Sequence, residues 1–347
     1  MMKNFSKILL NWYRVHKRDL PWRDTTDPYR IWISEIILQQ TRVAQGYDYF
    51  LRFMKRFPDV QTLARASEDE VLKYWEGLGY YSRARNLHEA ARKMKGRFPD
   101  SYEEVRAMKG VGDYTAAAIC SFAYRMPYAV VDGNVCRVLS RIFGVEDSPD
   151  CTAGRKKIAS LAQQLLDKTY PDDYNQAIMD FGALQCVPFS PHCEICPFKK
   201  SCVAFGSSRV EELPRRAKKT KVSSRFFTYI YVRQAGRTWL RRREGKDIWT
   251  GLYEFPLLET SSSAPAEELS DTPFWHKYFP ASSPRFLWGP VTHTLSHQKI
   301  SACFWEAEGK DSFKLPEPFF SVKENELSKY AFPRLLQKFI QNILHIK

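Results

Sequence analysis

The feature that most constrains this chain is a switch in hydrophobic period. Up to about residue 205 apolar residues recur at helical spacing, and beyond about residue 225 they alternate with period two. One fold class does not accommodate both patterns, so two domains are expected, in keeping with a length of 347 residues. Asp27-Pro28 reads as an N-cap followed by proline at the first helical position, and an apolar-periodic run follows over 31–57. Further helical patterns cover 68–76, 82–94, 102–108, 114–122, 135–143, 155–166 and 174–184. Residues 1–205 therefore read as an all-α domain.

Residues 206–225 match neither pattern. Arg209, Arg215, Arg216, Lys218, Lys219, Lys221 and Arg225 face only Glu211 and Glu212, and the segment reads as an exposed basic linker. It reads first as a solvated tether and second as a strip laid along a phosphate backbone. In 226–347, short β-rich runs at 226–232 and 238–243 flank a turn at 234–237, which suggests a hairpin. A polar loop at 260–265, strands at 291–295 and 300–305, and a closing helix at 330–346 complete a smaller α+β domain.

Lys and Arg number 53 against 39 Asp and Glu, a formal net charge of +14 that puts polyanions first among partners. No apolar run approaches the ~20 residues of a membrane-spanning helix. The N-terminus mixes Lys3, Lys7, Arg14, Lys17 and Arg18 with only Ile8-Leu9-Leu10, unlike a signal peptide. A cytoplasmic, nucleoid-associated protein is expected.

Four of eight cysteines are grouped as Cys186-x6-Cys193-x2-Cys196-x5-Cys202. Nothing marks export, so reduced thiols are expected, and four close thiolates suit tetrahedral zinc or a cubane iron–sulfur cluster. Zinc sites usually present two tight pairs. Here one pair is tight and the outer two stand off, which favours four iron atoms. Cys120, Cys136, Cys151 and Cys303 are scattered and read as small core residues.

Gly110-Val111-Gly112-Asp113 opens a small-residue helix, where glycines admit close backbone approach and free amides attract phosphate. Asp113 is awkward there, since an acid near a phosphate must turn away. Asp132 lies eighteen residues beyond Tyr114, just before a helix, where a cap and a functional carboxylate are equally good readings. Glu35 follows Ile31 by four and precedes Leu38 by three, which sets it on an apolar stripe. A carboxyl held there has a raised pKa and is fit to act as an acid near neutral pH. With a second, ionised carboxylate, the pair suffices to cleave an N-glycosidic bond.

Together these motifs resemble the MutY family of adenine DNA glycosylases, in the helix-hairpin-helix or endonuclease III superfamily. The resemblance spans nearly the whole chain and includes Asp19-Leu20-Pro21-Trp22-Arg23, the stretch from Trp32 to Val43 around Glu35, and Glu76-Gly77-Leu78-Gly79-Tyr80-Tyr81-Ser82-Arg83. It implies a helix-hairpin-helix glycosylase domain over 1–205 with a [4Fe-4S] loop at 186–202, the 206–225 linker, and a MutT-like (Nudix-like) domain over 226–347. The implied activity is removal of adenine mispaired with 8-oxoguanine or guanine in double-stranded DNA, by a monomer.

Carried over by position, the resemblance implies that Glu35 protonates the departing adenine and helps activate water. Asp132 stabilises the oxocarbenium ion, supported by Tyr114 and Asn134. Arg18, Trp22, Arg23 and Gln176 line the flipped-base pocket, while Gln40, Thr41, Leu78 and Tyr80 contact the stack around the lesion. Gly110 and Gly112 belong to the DNA-binding hairpin, and Cys186, Cys193, Cys196 and Cys202 hold the cluster. His192, Lys199 and Lys200 meet phosphates or form a solvated loop surface.

Three contrasts refine that expectation. Lysine-dependent relatives form a Schiff base from the hairpin helix, where this chain has Tyr114, so a monofunctional glycosylase is expected. The stretch after Ile248-Trp249-Thr250-Gly251-Leu252-Tyr253-Glu254-Phe255-Pro256 lacks the Gly-x5-Glu-x7-Arg-Glu metal-binding pattern, so the second domain should bind and not hydrolyse. Thr292-His293-Thr294-Leu295-Ser296-His297 resembles the loop that reads oxidised guanine through Ser296 and His297, with Leu295 in place of an aromatic. A redox-sensing regulator without catalysis is the rival reading, and Glu35 with Asp132 argues against it.

Overall fold

A computed structural model describes residues 4–94, 96–216, 222–262, 266–310 and 312–345. They form two compact units, Met1–Arg65 with Asn86–Lys218, and Ala66–Arg85 with Lys219–Lys347.

The helices before residue 186 are α1 (Phe5–His16), α2 (Pro28–Leu38), α3 (Val43–Arg56), α4 (Val60–Arg65), α5 (Glu68–Trp75), α6 (Ser82–Lys93), α7 (Tyr102–Ala107), α8 (Asp113–Tyr124), α9 (Gly133–Phe143), α10 (Thr152–Leu165) and α11 (Pro171–Asp180). Asp27 caps α2 by accepting from the Tyr29 amide at 2.9 Å, with Pro28 opening the helix. The apolar run over 31–57 is not one helix. It breaks at Gln40, whose φ of +56° lies in the left-handed region, and no glycine or proline announces that break.

In the first unit α2 is buried along nearly its whole length, from Tyr29 through Ile31 to Ile37. Its partner α8 brings Ala116, Ala117 and Ala118, small enough for close packing. Phe5, Leu9 and Trp12 of α1 join Val135, Leu139 and Ile142 of α9 and Tyr174 and Ala177 of α11 in a shared core. Each large apolar side chain buried this way contributes about 1.5–3 kcal/mol. From Asp180 the chain winds through a π-helical turn, Phe181–Gln185, and so delivers Cys186.

The second unit contains β1 (Ser223–Arg233), β2 (Arg237–Arg242), β3 (Tyr253–Glu254), β4 (Leu257–Thr260), β5 (Arg285–Thr294), β6 (Gln298–Glu308) and β7 (Phe320–Lys323). Two sheets result, ordered β4-β1-β6-β5 and β3-β2-β7. The expected hairpin over 226–243 is corrected: Gln234 and Arg237 do bond across the turn, but β1 and β2 then part into different sheets. Residues Phe227 to Val232 of β1 are buried on both faces, and its two edges pair antiparallel with β4 and parallel with β6. The closing helix is shorter than 330–346 and runs Arg334–Asn342, while Ile346 lies outside the described residues.

Residues 66–85 fall within the region read from sequence as the helical domain, yet they group with the second unit. Lys73 Nζ donates to the Tyr330 carbonyl at 2.9 Å, the Phe332 amide donates to Glu76 at 2.8 Å, and the Tyr253 hydroxyl donates to Asp69 at 2.8 Å. No local pattern in 66–85 encodes these distant partners.

The basic stretch 206–225 is more anchored than a free tether. Leu213 is buried and its carbonyl accepts from Arg141 Nε at 2.9 Å. Arg209 and Arg215 both pair with Glu146, and Arg225 lies in β1 paired with Asp247 and Glu259. Lys218, Lys219 and Lys221 lie outside the described residues, as do 263–265 of the polar loop. Among the described residues no helix is long and apolar enough to cross a membrane.

Candidate active site

In the first unit α2, α8, α11, the segment between α1 and α2, and the start of α9 converge on a cavity of about 260 Å³. Glu35 enters it from α2, buried beside Ile31, Leu38, Phe122 and Met179. Burial pushes its carboxyl up to about 7; a hydrogen bond from Tyr114 opposes this, the Asp132 charge adds to it, and Arg23 opposes it. Near neutral pH this is a carboxylic acid with a proton to give.

Asp132 sits differently. It caps α9, accepting from the Val135 amide at 2.7 Å and from Asn134 Nδ2 at 2.8 Å. Burial raises its pKa above the ordinary value, and the bonds from Val135 and Asn134 hold that rise back. Cap and cavity-lining carboxylate are thus both true of one side chain. Two carboxyls in unlike surroundings are what an acid and an ionised stabiliser require. Tyr114, from α8, is held well above its usual pKa by burial and by the neighbouring Glu35 and Asp132, so it stays a neutral phenol. Its hydroxyl also points at the Met179 sulfur, 3.8 Å away.

Arg18, Trp22, Arg23, Gln176 and Thr41 line the same cavity. Trp22 is fixed edge-on against Phe50, with centroids 5.3 Å apart, and Gln176 accepts from the Tyr13 hydroxyl at 2.9 Å. Arg18 and Arg23 both pair with the fully buried Asp180. Sequence reading passed over Asp180, Tyr13 and Arg42, which also lines the cavity. Asp180, an acid between Ile178 and Phe181 in an apolar helix face, carries the same sequence signal as Glu35.

A wider groove of about 1160 Å³ shares Tyr114 and Asp132 with this cavity and is lined by Gly110, Gly112, Arg137, Arg155 and Arg216. Gly110 has φ +79°, and a Cβ there would stand 2.8 Å from that of Asn86, so the turn requires glycine. Gly112 is the N-cap of α8 and faces open space. Asp113 is turned aside into an ion pair with Arg106 at 2.5 Å, which resolves the awkward acid.

Cys186, Cys193, Cys196 and Cys202 line one small cavity with Phe181, Arg141, His192 and Lys199. The Cys196 amide donates to the Cys193 carbonyl at 3.2 Å in a single 3₁₀ turn, the local geometry the x2 spacing favours. Arg141 Nη1 lies 3.6 Å from the Cys186 sulfur. Among the described residues no group of three or more His, Cys, Asp or Glu side chains is close enough to hold a single metal ion. Lys199 pairs with Glu194 at 2.5 Å. Of the scattered cysteines, Cys120 and Cys303 are buried and Cys136 is half-buried, but Cys151 is exposed and caps α10 through its sulfur, so it is no core residue.

In the second unit Leu78 is buried, while Tyr80 is exposed at φ +47° between positive-φ Gly79 and the start of α6. Ser296 and His297 are the exposed middle of the turn joining β5 to β6, closed by the Leu295 amide donating to the Gln298 carbonyl at 2.8 Å. Tyr80 and Ser296 meet, hydroxyl to hydroxyl, at 2.5 Å. Leu295 packs against the apolar core. Gln40 and Thr41 belong to the first unit, at the turn between α2 and α3.

Comparison with known proteins gives matching results. The family described as HhH-GPD superfamily base excision DNA repair protein matches residues 33–168, and the NUDIX domain matches 228–342. An adenine DNA glycosylase of Buchnera aphidicola (subspecies Acyrthosiphon pisum) is 35% identical over 265 residues, covering 75% of this chain and 76% of that protein. The adenine DNA glycosylase of Rattus norvegicus is 35% identical over 356 residues, covering 86% of this chain and 69% of that one. Among solved structures, a thermostable thymine-DNA glycosylase superposes with TM-score 0.55 at 32% identity, over 59% of this chain and 97% of that one. An endonuclease III–DNA complex superposes with TM-score 0.52 at 20% identity, over 60% and 98% of the two chains, a likeness of fold.

Proposed function

This chain belongs to the adenine DNA glycosylase family, and from that premise we propose that it hydrolyses the N-glycosidic bond of adenine mispaired with 8-oxoguanine or guanine in duplex DNA, leaving an abasic site. The observation that carries this reading is Glu35: a buried carboxyl pushed up to about 7, in a cavity that also holds Asp132. The bond is out of reach inside a duplex, so adenine is extruded into the cavity. There Arg18, Trp22, Arg23 and Gln176 surround it.

Glu35 gives its proton to the departing base and afterwards draws one from water. Asp132, steadied by Asn134, stabilises the cationic sugar, and Tyr114 supports both carboxyls. A phenol forms no imine with the opened sugar, so the enzyme is monofunctional and leaves the strand unbroken. Gly110 and Gly112 present hairpin amides to a phosphate, and Gln40, Thr41, Leu78 and Tyr80 engage the stack around the lesion. Ser296 and His297 discriminate the opposite base. The protein acts as a monomer.

The donor set Cys186, Cys193, Cys196 and Cys202 fits a [4Fe-4S] cluster, since four thiols surround one cavity with an arginine beside them to offset negative charge. Holding a cluster there, the four cysteines would tie the 186–202 loop into one piece. His192, Lys199 and Lys200 on that loop then meet the DNA backbone.

The test is a cleavage assay on duplexes carrying A opposite 8-oxoguanine, G, C or T, with and without alkali. Excision confined to the first two duplexes, with breaks appearing only after alkali, supports the reading. Equal excision opposite all four bases would overturn the mispair specificity.

A further inference from the structure

Asp180 ends α11 with 0% exposure, yet it is ionised. It accepts from Arg18 Nε at 2.8 Å, Arg18 Nη2 at 2.5 Å and the Arg18 amide at 3.2 Å. Arg23 adds Nη1 and Nη2, each at 2.6 Å. Five donors saturate its two oxygens. Burial alone would raise its pKa, but the Arg23 hydrogen bonds and the Arg23 and Arg18 charges outweigh burial and lower it.

One arginine would suffice to pair a buried carboxylate. Here two share one, leaving a net positive charge, and both guanidiniums line the cavity that holds Glu35. Arg23 and Glu35 each feel the other's charge. Tyr114 from α8, Asp132 ahead of α9 and Arg23 from the segment between α1 and α2 act on Glu35, and Arg18 from that same segment lines the cavity with them. Arg42 lines the same cavity from the α2–α3 turn, and Tyr13 of α1 interacts with Arg23.

We propose that Asp180 is a positioning residue for excision: its carboxylate clamps Arg18 and Arg23 in the base pocket and offsets enough of their charge that Glu35 keeps its proton beside them. The proposal rests on Glu35 being the acid. An acid is active while protonated, so excision falls as pH rises through the Glu35 pKa. Asp180→Asn leaves both guanidiniums uncompensated and moves that falling limb to lower pH, by about one unit. Arg18→Gln removes one positive charge and moves it higher. Arg18→Gln with Asp180→Asn restores the original net charge and returns the limb toward its starting place.

Single-turnover excision of adenine opposite 8-oxoguanine, measured from pH 5 to 9 in these three variants, in Glu35→Gln and in the wild type, decides it. The opposed shifts, with recovery in the double variant, are the expected result. A merely structural Asp180 would lower the rate equally at every pH, and an unmoved limb in Asp180→Asn overturns the proposal. Should Asp180→Asn not fold, Arg18→Gln alone decides, since an unmoved limb there is equally fatal. If Glu35→Gln keeps near-normal excision and the same limb, the limb is not Glu35's and the active-site reading itself fails. If Glu35→Gln loses excision while the other limbs stay put, only the clamp fails.

Discussion

Tyr80 and Ser296, 216 positions apart in sequence, share a hydrogen bond of 2.5 Å within the second unit. The bond joins the stretch 76–83, whose glycines hold Tyr80 exposed, to the tip of the β5–β6 turn. Both side chains are tied to each other in the free protein, so the roles proposed for Tyr80 at the stack and Ser296 at the opposite base start with little rotamer freedom to lose.

That arrangement makes discrimination testable. 8-oxoguanine differs from guanine by an acceptor at C8 and a donor at N7, and Ser and His are able to meet either. One hydrogen bond is worth about 0.5–1.5 kcal/mol, so Ser296→Ala is expected to shift preference modestly. Replacing Ser296 and His297 together by Ala should narrow the gap between A:8-oxoguanine and A:G duplexes while excision persists. Parallel single-turnover rates check it, and an unchanged ratio removes the turn from recognition.

Arg137 links the Asp132 cap to the cysteine loop. Its Nη2 donates to Asn134 Oδ1 at 2.9 Å and to the Gly182 carbonyl at 2.7 Å, and its Nε donates to the Cys186 carbonyl at 2.8 Å. Charged hydrogen bonds of this kind contribute about 1.5–3 kcal/mol each. Arg137→Leu should therefore lower the thermal midpoint and slow excision together. Unchanged melting with unchanged rate would show that the link carries no strain between the two sites.

For the cluster, anaerobically purified protein should be brown and carry about four iron and four sulfide per chain. Stoichiometric zinc without iron contradicts the assignment. Cys193→Ser should weaken the loop or DNA affinity before it affects the chemical step.

Tyr114 in place of an amine sets a fourth expectation. Borohydride added during turnover should trap little covalent protein–DNA adduct, and strand breaks should need heat or alkali. Efficient trapping would mean an amine elsewhere attacks the sugar.

Much of this site was legible in the sequence because its signals are local. The Asp27-Pro28 cap, the glycines at 110 and 112, the x2 cysteine turn and the carboxyl within an apolar helix each follow from neighbours in the chain. What escaped depends on distant partners. Gln40 breaks the 31–57 run without glycine or proline, β1 and β2 separate because both edges of β1 are taken by β4 and β6, and 66–85 joins the second unit through bonds to residues 242–332. Asp180 carried a local signal, an acid in an apolar helix face, but its meaning lies in Arg18 and Arg23, more than 150 positions away.

The central claim is that Glu35 supplies the proton. Its pKa of about 7, with Asp132 needed as a carboxylate, means that wild-type excision should hold level between the two carboxyl pKa values, fall about tenfold per unit above neutrality, and fall again at low pH where Asp132 takes a proton. The most direct measurement compares Glu35→Gln with wild type in single-turnover excision of adenine opposite 8-oxoguanine at pH 6, with duplex binding measured alongside. The account expects binding retained and excision reduced by about 10²–10⁴-fold. Excision near the wild-type rate, by a variant with no proton to give at that position, would contradict it.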